Sequence, residues 1–126
     1  MILPRFTVID KSKAEPIMAE FVKKTRNEAG CLYYGWSLCG DQLVCEEIYL
    51  NAAAVAAHLQ NIGPQIGQIT AEGVAKLDSI ALHGPAGEVE KCKKYVVQPV
   101  CKMKKKILIT VVSSTFTKLL PNYQTI

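Results

Sequence analysis

The sequence predicts an α+β fold of the ferredoxin-like, split βαβ type, with helices packed against an antiparallel sheet. Three observations carry this. Apolar residues switch between strand and helix periodicity in the order β-α-β-β-α-β. Gly40-Asp41 stands as a tight turn between two strand-like runs. Those runs are apolar at odd and even positions alike, so both faces of the sheet need cover.

Phe6-Thr7-Val8-Ile9 is rich in β-branched residues and reads as the first strand. The helix after it has two competing start signals. Ser12-x-x-Glu15 has the form of a capping box, which would put Pro16 inside the helix. Pro16 as the first helical residue is preferred, because an interior proline deletes a hydrogen bond. Ile17, Met18, Phe21, Val22 and Thr25 make one stripe, and Gly30 reads as a left-handed stop. Residues 31–38 and 43–50 form the hairpin. Asn51 can cap the next helix, where Val55, Leu59 and Ile62 recur at helical spacing. Ile66 and Ile69 continue the stripe, but Gly63-Pro64 predicts a break and a second short helix. Residues 74–83 read as a strand. Gly84-Pro85 opens a third helix with Val89, Cys92 and Val96 on one face, and residues 107–112 read as a last strand.

The chain has 126 residues, enough for one domain with a real core, and at 49% apolar and 21% charged it is globular. No apolar run approaches the roughly 18 residues of a membrane span, and the N-terminus lacks the plan of a secretory signal. The net charge of +4 is unevenly distributed. Residues 1–101 hold ten Lys and Arg against eleven Asp and Glu, whereas residues 102–126 hold five lysines and no acid. The body therefore offers no basic face for nucleic acid. The basic segment 102–126 either contains the last strand, extends the domain or ends irregularly. The cysteines at 31, 39, 45, 92 and 101 are odd in number and lack C-x-x-C spacing. That disfavours a disulfide framework or a zinc site, and a reducing, cytoplasmic compartment is expected.

One chain supplies helices for one face of the sheet only. Leu32, Tyr34, Trp36 and Leu38 oppose Tyr33 on one strand, and Leu43, Cys45 and Tyr49 oppose Val44, Ile48 and Leu50 on the other. A second copy is the simplest cover for the remaining face, which predicts a homodimer with an interface of roughly 2,000 Å² or more.

The segment Thr25-x-x-Glu28-x-Gly30-Cys31-Leu32-Tyr33-Tyr34, with Glu47-x-Tyr49 and His58-Leu59 after it, resembles the antibiotic biosynthesis monooxygenase family of the dimeric α+β barrel superfamily. The resemblance extends more weakly through Leu77 and His83-Gly84-Pro85-Ala86 and covers about residues 5–97. It implies a homodimeric α+β barrel with one pocket per subunit between sheet and helices. It also implies a cofactor-independent monooxygenase, with no metal or flavin, acting on a small aromatic or quinol substrate. The base would deprotonate a phenol in a dry pocket so that its anion can pass an electron to O₂. The haem-degrading branch uses an Asn on the first strand, and Phe6-Thr7-Val8-Ile9-Asp10 has none.

His58 lies at the edge of the buried stripe, about 100° around the helix from Leu59. It is the candidate base, because histidine titrates near neutrality; a space-filling histidine bonded to backbone is the alternative. Glu47 shares a strand face with Cys45 and Tyr49, where an inward carboxylate is costly unless paired. It is the candidate partner of His58, or else a structural acceptor at the sheet margin. Trp36, Tyr33 and Tyr49 are candidate substrate contacts, although aromatic strand residues also serve as core. Trp36 and Tyr33 point opposite ways, so one pocket holds at most one of them. A small apolar or aromatic molecule is the expected partner, with no nucleic acid and no membrane. The competing reading is a non-catalytic homodimer that binds a small molecule or acts in stress.

Overall fold

Strand pairing in the computed structural model, which describes the backbone of residues 1–101 and 108–113 and the side chains of residues 1–96, builds one five-stranded sheet. The elements run β1 (Ile2–Val8), α1 (Lys11–Thr25), β2 (Cys31–Cys39), β3 (Gln42–Tyr49), α2 (Ala52–Ala71), β4 (Ala75–Gly84), α3 (Ala86–Cys101) and β5 (Leu108–Ser113). The sheet order is β2-β3-β1-β4-β5, with the first four strands antiparallel. This is the α+β, ferredoxin-like arrangement. β5 adds a fifth, parallel strand beside β4, which α3 makes possible by carrying the chain back along the sheet. The lysines at 102–106 lie outside the described residues.

One face of the sheet meets the helices. On β3 it carries Leu43, Cys45, Glu47 and Tyr49, all buried and spaced by two. The packing forms two apolar clusters. One joins Ile2, Tyr49, Val55 and Leu82 to Val89 and Val96 of α3. The other joins Val8 and Leu43 to Ile17 and Phe21 of α1 and to Ile62 and Ile69 of α2. The opposite face alternates Leu3, Val44 and Ile48 with Arg5 and Glu46, so charge interrupts its apolar area. Leu32 falls at a register irregularity between Cys31 and Tyr33 and is 60% exposed, outside the row that Tyr34 and Trp36 form.

Three local expectations are corrected. Helix α1 begins at Lys11, capped by the Asp10 side chain on the Lys13 amide, so Pro16 is the sixth helical residue. Helix α2 continues through Gly63-Pro64 without a break. In both cases an interior proline costs about 3 kcal/mol. Burial of a large apolar side chain contributes about 1.5–3 kcal/mol. Ala14 before Pro16 and Ile17 after it in α1, and Ile62 before Pro64 and Ile69 after it in α2, lie on buried stripes that only a continuous helix keeps in line. Packing therefore outweighs the local signal.

Gly30 is not a left-handed stop; the positive-φ glycines are Gly40, Gly73 and Gly84, and α1 ends with Arg26 still helical. Gly30 is needed for space. A Cβ there would overlap Ala54 Cβ, in the first turn of α2. The start of β2 can approach α2 closely only because neither residue carries more. Gly30→Ala is expected to destabilise the fold by about 1–3 kcal/mol. Ala54→Gly in the same chain should recover much of that loss. Urea unfolding of the two single variants and the pair checks this; strictly additive losses would contradict the contact.

Candidate active site

The polar centre lies between the two apolar clusters. Strand alternation turns Glu47 inward with Cys45 and Tyr49, and Glu47 is 5% exposed. Opposite it, the start of α2 is fixed twice. The Asn51 side chain accepts from the Ala54 amide at 2.9 Å, and Glu88 of α3 accepts from the Ala52 amide at 2.8 Å. With the helix so anchored, His58 lies between Val55 and Ile62 on the sheet-facing side and is wholly buried.

Each ring nitrogen of His58 meets a carboxyl group. Nδ1 stands 2.9 and 3.1 Å from the two oxygens of Glu28. Asn61, one turn beyond His58, donates from Nδ2 to Glu28 Oε1 at 2.7 Å. Glu28 is held in the turn after α1, its amide donating to the Thr25 carbonyl and its carbonyl accepting from the Cys31 amide. Lys24 Nζ donates to the Asn61 carbonyl at 2.9 Å, which ties α1 to α2 beside the site. On the far side, Nε2 faces Glu47 Oε2 at 3.6 Å, beyond hydrogen-bond length, and has no partner. The Tyr49 hydroxyl donates to Glu47 Oε2 at 2.8 Å. The rings of Tyr34 and Tyr49 flank the imidazole at 5.4 and 5.1 Å.

Glu28 accepts the Nδ1–H, so in the neutral ring Nε2 is the acceptor. Burial pushes the Glu47 carboxyl above its ordinary range, against the opposing pull of His58, Tyr49 and Cys45. Burial likewise raises the Tyr34 and Tyr49 hydroxyls and the Cys45 thiol, with Glu47 adding to each. These three groups therefore stay neutral near physiological pH. A carboxyl that burial makes a weaker acid and the imidazole acceptor it faces are a pair between which a proton can pass. Among the described residues no cluster of three or more His, Cys, Asp or Glu side chains forms a metal site.

A cavity of about 260 Å³ opens onto this pair. Glu47, His58, Tyr34 and Trp36 line it together with apolar residues that include Phe6, Phe21, Ile62 and Leu77. Both residues of the pair line the cavity, Glu47 at 5% exposure and His58 fully buried.

The other candidates separate. Trp36 lines the cavity. Tyr49 does not, and its hydroxyl is given to Glu47. Tyr33 is not among the residues that line this cavity. It points away from the helices, is 51% exposed, and its ring lies against Gly35. Glu28 and Tyr34 stand in the segment that carries the family resemblance but were assigned no site role, and Asn61 was not singled out. The available signal was the i, i+3 spacing of His58 and Asn61 beside an apolar stripe, which calls for a polar partner from another element.

Neither protein-family models nor curated proteins give a match to this chain. Solved structures do. MupZ from Pseudomonas fluorescens is 28% identical, with a TM-score of 0.73 over 94% of this chain and 93% of that one. A Deinococcus radiodurans protein assigned by inference to the antibiotic biosynthesis monooxygenases is 21% identical, with a TM-score of 0.52 over 64% of this chain and 87% of its own. Rv0793 from Mycobacterium tuberculosis is 23% identical, with a TM-score of 0.52 over 55% and 76%. The last two show a shared fold, in agreement with the family resemblance in the sequence. No described helix is long and apolar enough to cross a membrane.

The raised Glu47 carboxyl links stability to pH. The folded state holds this proton more tightly than the unfolded chain, so the contribution is complete below the ordinary value of 4.5 and is lost as pH rises through the folded value. Glu47→Gln is neutral throughout and escapes that loss. The variant's stability relative to the native chain should therefore grow as pH rises from about 4 to 8. Urea unfolding across that range checks it; a constant or shrinking difference would contradict the assignment.

Proposed function

We propose that this chain, built on the antibiotic biosynthesis monooxygenase fold, is an acid–base enzyme acting on a small, largely apolar molecule held between sheet and helices. The observation that carries this is the buried Glu47 carboxyl, which lines the cavity with the unpartnered Nε2 of His58 3.6 Å from it.

In this reading Glu47 is the group that touches the substrate. As the neutral acid it gives its proton to a carbonyl, hydroxyl or ether oxygen on which negative charge develops, and the carboxylate takes up a proton from solvent when the product leaves. In the reverse sense the carboxylate takes a proton from the substrate and passes it to Nε2, where Glu28 stabilises the imidazolium. The apolar walls keep water away and strengthen each of these interactions. General acid–base catalysis of this kind contributes about 10²- to 10⁴-fold. Tyr49 and Asn61 are positioning residues, acting through Glu47 and Glu28.

Cofactor-independent oxidation of a small aromatic or quinol is the second reading, favoured by the aromatic wall of Phe6, Phe21, Tyr34 and Trp36. There the carboxylate removes the phenolic proton, the phenolate passes an electron to O₂, and the radical pair combines, leaving one oxygen atom on the ring and the other in water. Oxidation needs the base alone, whereas a carboxyl whose hold on its proton is strengthened by burial can also supply an acid, so proton transfer is the primary assignment. The homodimer belongs to the same proposal, with Leu3, Val44 and Ile48 as the apolar part of the surface a second copy would cover.

Elimination of nitrobenzisoxazole, a single proton abstraction from a planar aromatic, tests the pair without knowledge of the natural substrate. The native chain should accelerate it, with a rate that rises along one titration displaced above the ordinary carboxyl range. Glu47→Gln should lower the rate about 10²-fold or more, and His58→Gln should shift the pH profile while retaining elimination. An unaffected Glu47→Gln would remove the acid–base assignment. Oxygen uptake with a panel of quinols, abolished by the same variant, would establish the oxidative reading. Neither elimination nor uptake would leave a binding module.

A further inference from the structure

Tyr34 is used by none of the steps above, yet it stands beside the pair. Its strand register places it directly across from Glu47, and both side chains turn to the cavity. Directly opposed residues on neighbouring strands have Cβ atoms about 5 Å apart, so two inward side chains at such a pair can reach one ligand atom. The Tyr34 ring is held on three sides. Trp36 meets it edge-on at 6.0 Å and 82°, His58 lies at 5.4 Å, and its hydroxyl neighbours the Cys45 thiol. Trp36 is itself clamped by Phe6 at 5.9 Å and Phe21 at 5.6 Å, so the ring behind Tyr34 has little freedom to turn.

The two tyrosines have different tasks. Tyr49 gives its hydroxyl to Glu47 Oε2. Tyr34 is not engaged with Glu47 in this way and lines the cavity, which Tyr49 does not. A second donor therefore faces the same space as the acid.

We infer that the Tyr34 hydroxyl and the Glu47 carboxyl form a two-donor site for a single substrate oxygen that gains negative charge during reaction. This deepens the acid–base proposal and rests on it. The substrate class follows: an apolar molecule whose reacting oxygen is a carbonyl, or an oxygen bound to the atom undergoing bond change, and which approaches an enolate, phenolate or alkoxide in the transition state. Two fixed donors in a dry site stabilise such charge far better than water can, because they need not reorganise as it forms. A hydroxyl donor paired with a neutral carboxylic acid is a known solution to that demand. Burial strengthens the hold of both groups on their protons and so favours the donor form.

Binding of 4-nitrophenolate, read by its visible absorbance, tests the site with a stable mimic of the charged oxygen. 4-Nitroanisole is the neutral control of the same shape. Native protein should prefer the phenolate, and Tyr34→Phe should weaken it about tenfold while anisole affinity stays within twofold. Equal losses for both probes, or no change in their ratio, would overturn the inference. So would failure of the native chain to prefer the phenolate. Because the aromatic ring is retained, anisole affinity also reports that the cavity has kept its shape. The readout is binding alone, which separates this proposal from its premise. If Glu47→Gln leaves elimination intact but Tyr34→Phe still loses the phenolate preference, the acid–base assignment fails and the role of Tyr34 stands. If Tyr34→Phe keeps the preference while Glu47→Gln abolishes elimination, the reverse holds.

Discussion

A carboxyl group taken out of water is the constraint around which this molecule is arranged. Glu47 is buried among apolar residues, where an isolated charge is costly. Two features make its burial tolerable. The Tyr49 hydroxyl satisfies one oxygen, and His58 offers a place for the proton at 3.6 Å. His58 in turn would lack a defined tautomer without Glu28, and Glu28 would be loose without Asn61. The polar chain thus runs from the loop after α1, through α2, to β3, and each member depends on the one before.

That dependence explains parts of the fold that otherwise look like local exceptions. Gly30 and Ala54 allow β2 and the Glu28 turn to lie against the first turn of α2. Asn51 and Glu88 fix where α2 begins, and so which way His58 points. The helix then continues past Pro64, carrying Ile62 and Ile69 into the second apolar cluster and extending the cavity wall. A break at Pro64, as local propensity suggests, would interrupt that wall.

Much of the architecture is legible in the sequence, because it rests on periodicity and on turn residues. Asn51, Gly40-Asp41 and the Val89-Cys92-Val96 stripe act where they were expected. The prolines mislead because their cost is local, whereas the burial that offsets it is tertiary. Gly30 misleads because a glycine at a helix end has two possible causes, backbone angle and close approach, and only the contact with Ala54 tells them apart. In the site, the convergence of Glu47 and His58 follows from strand alternation and helix phase. Glu28 does not, since a turn residue has no periodicity to reveal its direction. Tyr33 and Tyr34 are adjacent and chemically alike; Tyr34 pairs with Glu47 facing the helices, and Tyr33, on the other face, is exposed.

The acid–base account stands on the protonation of a single group. Carbon-13 NMR of glutamate labelled at the side-chain carboxyl, assigned by the signal lost in Glu47→Gln, measures it directly. The account predicts that the Glu47 carboxyl titrates above the ordinary value of 4.5. Titration at or below that value would mean that Glu47 is a plain carboxylate, with no proton to give, and would contradict the account.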